Sequence, residues 1–168
     1  LLIFISYTSL GEKPSRFSLK GVPMDRRFLQ EEGLQVYSGS ELLVKGAYEA
    51  RVALMTGYPG SPVAEFFNTL AATNQLAREK GILLQIANNE ALSVARLVGS
   101  QMADIRAITC MKSVGMHVAA DGLFLGNISK SVGSGGALVI VGDDAWSEST
   151  QVPADSRFLS KHLFALMA

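Results

Sequence analysis

"MTGYPGSPVAEF" (residues 55–66) carries the chain out of an apolar run and into an amphipathic one, through a turn with two glycines and two prolines. The run before it, residues 52–56, has the length and unbroken apolarity of a buried strand. After it, Val63, Phe66, Phe67 and Leu70 recur at i, i+3, i+4 and i+7, which is one face of a helix. Ser61 reads as the N-cap and Pro62 as the first helical residue, where a missing N–H costs nothing. The pattern stops at "REKG", with Gly81 as the C-terminal signal. Strand, tight turn and helix make the repeating unit of a parallel α/β fold.

The same unit recurs along the chain. Apolar runs at residues 82–87, 105–111 and 137–141 read as further strands, and helical patterns separate them. Ser38 and Glu41 have capping-box spacing ahead of Leu42, Leu43, Gly46 and Ala47. Asn88 or Asn89 caps a helix whose Ala91, Val94, Ala95, Val98 and Met102 form a wide apolar face. Another helix covers residues 114–128. A last amphipathic stretch follows Pro153 and carries Phe158, Leu159, His162, Leu163 and Leu166. Near-continuous apolar strands alternating with helices predict a parallel sheet with helices on both faces. Four strands make a small sheet, and "FALMA" stands where another strand would be expected. The domain therefore reads as incomplete at its C-terminus.

The chain has 168 residues, 48% hydrophobic and 18% charged, with a formal net charge of zero. That length fits one domain, able to bury roughly 70% of its unfolded surface. Without a basic block there is no footprint for nucleic acid or an anionic membrane. One cysteine and two histidines cannot build a structural zinc site, a disulfide frame or an iron–sulfur cluster. Cys110 closes an apolar run and reads as a buried, inert thiol. The composition reads as cytoplasmic. The opening "LLIFISYTSLGEKPSRFSLKGVP" (residues 1–23) is too short in its apolar part to span a bilayer and has no basic region before it. Met24 begins what reads as an ordinary N-terminus. The expected organisation is an extension over residues 1–23 and one α/β domain over residues 24–168.

A glycine turn after a strand invites a phosphate, which is held by converging backbone N–H groups. Pro59 and Pro62 have none, so the turn offers donors only at Tyr58, Gly60 and Ser61. GxGxxG and GxxxxGK[ST] are both absent, which disfavours a generic nucleotide binder. Two readings remain: a rigid connection, or a wall built by Tyr58 and Ser61 for an uncharged pocket at a strand's carboxyl end. The other cluster, Gly133, Gly135 and Gly136, precedes its strand and reads as a tight turn. Asp143 and Asp144 read as solvated acids, with no further metal ligands in view. Lys112 is either a cation facing the crevice or a solvated loop lysine. His117, inside a helical run, reads as a hydrogen-bonded structural residue. No Ser-His-Asp arrangement is visible, and Ser61 lacks the GxSxG context.

Glu90 falls in the first turn of a helix that follows a strand. An exposed carboxylate there gains ~0.3–1 kcal/mol from the helix dipole. Alternatively, apolar neighbours strip it of water and raise its pKa from the ordinary ~4.3. It could then exchange a proton with a heterocycle near neutral pH. The residues themselves leave both readings open.

Several motifs fall into one order and spacing: "TGYPGSP" (56–62), "NNEAL" (88–92), "MKSVGMHVAAD" (111–121), "LVIVGDD" (138–144) and "DSRF" (155–158). Together they resemble the indolepyruvate ferredoxin oxidoreductase alpha subunit. More broadly they resemble the pyrimidine-binding domain of thiamine-diphosphate-dependent 2-oxoacid:ferredoxin oxidoreductases. The resemblance covers about residues 36–158. It implies that the domain grips the aminopyrimidine of thiamine diphosphate, with Glu90 matching the glutamate that hydrogen-bonds the ring nitrogen N1′ and activates the cofactor. Tyr58, Pro59, Gly60 and Ser61 match the segment lining the cofactor, and Lys112 lies in a matching cofactor-binding segment. The diphosphate and its Mg ion would belong to another domain, the iron–sulfur clusters, beta subunit and ferredoxin to the complete, oligomeric enzyme. Its substrates would be a 2-oxoacid and CoA. The family's GDG motif and cysteine clusters are missing here, so this chain alone should not turn over. The alternative is a non-catalytic remnant or assembly module that keeps the fold.

If residues 1–23 are an extension, their removal leaves the thermal midpoint unchanged by calorimetry. A large drop would refute that boundary.

Overall fold

A computed structural model describes residues 2–3, 25–144 and 155–160, and in it every predicted apolar run becomes a strand. After a short β1 (Leu2–Ile3) come β2 (Leu54–Gly57), β3 (Leu83–Ile86), β4 (Arg106–Lys112) and β5 (Gly136–Gly142). Strands β2, β4 and β5 are parallel and in register, Met55 beside Ile108 and Ile108 beside Leu138. Along the other edge of β2, Leu83 N–H donates to the Ala53 carbonyl at 2.9 Å and Ala87 N–H to the Gly57 carbonyl at 2.8 Å. Equal spacing on both chains makes β3 parallel as well. β1, from within the expected N-terminal extension, pairs antiparallel with β5 at the sheet edge, Leu2 opposite Ile140.

The helices are α1 (Gly39–Glu49), α2 (Ala64–Ala72), α3 (Asn74–Glu79), α4 (Glu90–Met102), α5 (Ser113–Val118), α6 (Ala120–Ile128) and α7 (Arg157–Ser160). All four residues of β2 are buried, as are Ala107 to Met111 in β4. Successive strand residues point to opposite faces, so both faces of the sheet's centre are covered. Met55, Phe66, Leu76, Leu97, Ile108, Met111 and Met116 are the largest side chains fully enclosed between the layers. Among the described residues, no helix is long and apolar enough to cross a membrane.

Three helices hand over to the next strand through one device. After α3, Gly81 N–H bonds Arg78 O and Ile82 N–H bonds Ala77 O, with Gly81 at φ +68°. These are the paired bonds of a Schellman motif, which satisfies the last helical carbonyls. After α1 the same two bonds run from Arg51 to Tyr48 and from Val52 to Ala47, and after α4 Ile105 bonds Ser100. There the left-handed positions are held by Arg51 (φ 54°) and Asp104 (φ 60°). Only the Gly81 stop is legible from residue type.

Helix boundaries depart from expectation in three places. The capping box of Ser38 and Glu41 forms, with Glu41 N–H on the Ser38 hydroxyl and Ser38 N–H on the Glu41 carboxylate. Ser61 and Pro62, however, do not start α2. A turn closed by Val63 N–H on Gly60 O at 2.9 Å intervenes, and the helix begins at Ala64. The predicted single helix after it divides at Thr73 into α2 and α3, and the Thr73 carbonyl accepts from Ala77 N–H and also from the Tyr48 hydroxyl. A side chain competing for a helical carbonyl is a recognised cause of such irregularity. The predicted helix over 114–128 likewise divides at Ala119 into α5 and α6. Of the final amphipathic stretch, His162, Leu163 and Leu166 lie outside the described residues, and Leu159 packs against the core.

Gly81→Ala should lower stability in urea by about 1 kcal/mol, the cost of a Cβ in the left-handed region. Arg51→Gly should raise it by roughly 0.5 kcal/mol, relief of the same strain less the freedom glycine adds to the unfolded chain.

Candidate functional site

The carboxyl ends of the parallel strands open onto one edge, and the turn after β2 is built into it from three sides. Tyr58 N–H bonds the Cys110 carbonyl of β4 at 3.4 Å, tying the turn to the neighbouring strand. A Cβ placed on Gly142, the last residue of β5, would lie 2.5 Å from Val63 Cγ1 and 3.0 Å from Pro62 Cγ. The turn therefore rests directly on the β5 backbone. Above it, the half-buried Lys112 lays its stem over Gly60, where an added Cβ would be 3.6 Å from Lys112 Cδ. Tyr58 is 42% exposed, and Pro59 and Ser61 are exposed with it. One of the turn's three available N–H donors is engaged by Cys110, so an anion cradle is further disfavoured.

Glu90 reaches the same edge from β3. Asn89 is the cap, in extended backbone (φ −160°, ψ 173°), and its side-chain oxygen accepts from Leu92 N–H at 2.8 Å. The Ser93 hydroxyl donates to the Glu90 carbonyl at 2.7 Å. The Glu90 backbone is thus fixed from both sides. Its side chain lies across Gly115 of α5, where a Cβ would collide with Glu90 Cγ, Cδ and Oε1. Glu90 is half-buried, between the exposed and the enclosed carboxylate that the sequence left open, because it sits at the open end of the helix pair. The buried face of α4 is also rotated from the predicted one. Ser93, Val94, Leu97, Val98, Ser100 and Gln101 are inside, while Ala91, Ala95 and Met102 face out.

The segments brought together are therefore Tyr58, Pro59, Gly60 and Ser61, then Lys112, then Glu90 with Gly115. Ser113, next to Lys112, carries a buried hydroxyl without a hydrogen-bond partner among the described residues. A carboxylate, an aromatic ring and a proline-stiffened wall suit a flat heterocycle with nitrogen donors and acceptors. The missing backbone donors and the carboxylate disfavour a phosphate, even with Lys112 at the rim.

Other candidates fall elsewhere. Cys110 is fully buried in β4, and burial pushes its thiol well above the usual range, which makes it inert. His117 is exposed on α5, not enclosed as a structural histidine. Asp143 accepts from the Ser156 N–H at 2.9 Å and hydroxyl at 3.0 Å, while Asp144 is buried. Asp143 is thus an exposed acid as expected, whereas Asp144 is not. Among the described residues no group of three His, Cys, Asp or Glu side chains could hold a metal ion. Gly133 and Gly135 do form the turn into β5, with Gly135 N–H on Val132 O. Gly115 and Gly142 fall within motifs legible in the sequence, but their importance lies in what faces them across the fold, which residue type does not reveal.

The chain is similar to the indolepyruvate oxidoreductase subunit IorA of Thermococcus kodakarensis, 34% identical over 123 residues, which is 73% of this chain and 18% of that protein. It is similar to the subunit of the same name from Archaeoglobus fulgidus, 34% identical over 132 residues, 77% of this chain and 21% of that protein. The one from Pyrococcus horikoshii is 32% identical over 123 residues, again 73% and 18%. The chain thus spans about a fifth of the length of these relatives. No protein-family model and no solved structure matches it.

Gly142→Ala should cost about 1–3 kcal/mol in chemical denaturation, the range for overpacking a filled site, because the turn must lift off β5.

Proposed function

The chain belongs to the family of indolepyruvate oxidoreductase IorA subunits, and from that premise we propose that it forms the pyrimidine-binding half of a thiamine-diphosphate site in a 2-oxoacid:ferredoxin oxidoreductase. One arrangement supports this best: Glu90 lying over Gly115 at the strand ends that also carry the wall of residues 58–61. Thiamine diphosphate, when bound, would supply a nucleophilic carbon that adds to a 2-oxo group and takes up the electron pair released with CO₂.

This chain's own residues have simpler tasks. Glu90 would hydrogen-bond a ring nitrogen of the aminopyrimidine and hold or release the proton there, as general acid–base catalysis requires. Its backbone, fixed by Asn89 and Ser93, would keep the carboxyl in place through both steps. Tyr58, Pro59, Gly60 and Ser61 would form a stiff wall that orients the ring and keeps water from its face. Lys112 would add a cation at the rim. In this reading the diphosphate and its Mg ion are held by a domain outside the chain. The iron–sulfur clusters, the beta subunit and ferredoxin receive the electrons, and CoA takes the acyl group. Indolepyruvate is the 2-oxoacid named for the relatives. The complete enzyme would be a cytoplasmic oligomer, and this part alone would be inactive.

Glu90→Gln in the assembled enzyme should preserve the fold and lose most 2-oxoacid decarboxylation, followed as CO₂ release. Near-normal turnover would sink the assignment and leave a remnant that keeps only the fold.

A further inference from the structure

We infer that Gly115 is a positioning residue for Glu90, the functional end of a series of glycine seats that runs the length of α4. The inference rests on the reading of Glu90 above. Residues 90, 94 and 98 are spaced by four and share one stripe of α4. Each faces a glycine of α5 or α6. A Cβ on Gly115 would collide with Glu90, one on Gly122 would lie 2.9 Å from Val94 Cγ1, and one on Gly126 would lie 2.9 Å from Val98 Cγ2. Val94 and Val98 are buried core residues, so those two pairs explain themselves as packing. The first pair is different in kind, because the group seated there is a half-buried carboxylate at the edge of the crevice.

Glycine is a poor helix former, and Gly115 is the third of six residues in α5. Removing the Cβ there frees the volume that the Glu90 side chain occupies. The two valine seats fix how far along α4 lies and how it is rotated. The Asn89 cap fixes the backbone of the first turn. With those set, the seat at Gly115 decides where the Glu90 carboxyl goes. A side chain at residue 115 would swing the carboxyl away while leaving the valine seats filled.

The experiment is a double-mutant cycle in the full-length chain assembled with its partner subunit. Gly115→Ala should lower the thermal midpoint when Glu90 is present. In the Glu90→Ala background the same change should leave it unchanged or raise it, since alanine is the better helix former and nothing occupies the seat. For decarboxylation, Gly115→Ala should reduce kcat by up to about 100-fold, the scale of a small misplacement of a reacting group. It should leave KM for the 2-oxoacid within about twofold and displace the limb of the pH–rate profile that Glu90→Gln removes. Gly122→Ala is the packing control, expected to lower the midpoint and leave the pH profile in place. Equal destabilisation by Gly115→Ala in both backgrounds would overturn the inference, as would a pH profile that moves no more than in Gly122→Ala. Should Glu90→Gln retain turnover, the catalytic reading fails, yet the stability cycle still decides whether Gly115 seats Glu90.

Discussion

The close approach of α4 to the backbone of the segments that follow β4 governs the rest of the structure. At its N-terminal end α4 is met by Gly115, in its middle by Gly122 and Gly126, and at its C-terminal end by the turn into β5. There Val132 N–H bonds the Gln101 carbonyl, the Gln101 amide donates to Ser129 O at 2.9 Å, and Asp104 accepts from Ser134 N–H at 2.6 Å. One helix thus places the carboxylate at one end and aligns the start of β5 at the other. Each glycine inside α6 costs the helix roughly 0.5–1 kcal/mol relative to alanine. Fully burying a valine is worth about 1.5–3 kcal/mol. With Val94, Leu97 and Val98 all buried along this face, the packing outweighs the propensity, and α6 remains a helix despite its glycines.

The same balance explains which parts of the fold were legible. The four long strands announce themselves as apolar runs because both faces of the sheet are covered, so no alternation dilutes the signal. The capping box of Ser38 and Glu41 and the stop at Gly81 could be named because a single residue type carries each device. Arg51 and Asp104 perform the Gly81 role with side chains that do not advertise it; their left-handed backbone is imposed by the helix and strand on either side. The division at Thr73 is invisible in sequence, since the Tyr48 hydroxyl that bonds the Thr73 carbonyl lies 25 positions away.

The candidate site divides along the same line. Motif order picked out Tyr58, Pro59, Gly60, Ser61, Glu90 and Lys112, and the structure gathers their segments at one sheet edge. The residues around Glu90 leave its burial open; in the structure it is half-buried, Ala91 and Ala95 face outward, and the buried stripe is centred on Val94 and Leu97. A wide apolar stretch on a helix wheel overstates burial when small residues widen it. Gly115 stands within a motif that was read, but its partner is on another helix, and pairwise seating of that kind is a tertiary fact.

The proline turn also acquires a reason when set beside Glu90. The start of a helix favours negative charge through its exposed N–H groups and its dipole. In α4 that place is taken by the chain's own side chains, with Asn89 accepting from Leu92 N–H and Glu90 supplying a carboxylate in the first turn. A diphosphate brought within about 4 Å of that carboxylate would meet repulsion of roughly 4 kcal/mol per charge pair near a protein surface. Across the crevice, Pro59 and Pro62 remove N–H donors that would offset it, and Cys110 engages the N–H of Tyr58. Apart from Lys112, whose stem lies over Gly60, the edge is thus poorly suited to an anion, by charge on one side and by missing backbone donors on the other. On the proposed reading the edge takes the uncharged ring of the ligand, and its phosphates are held by groups beyond this edge.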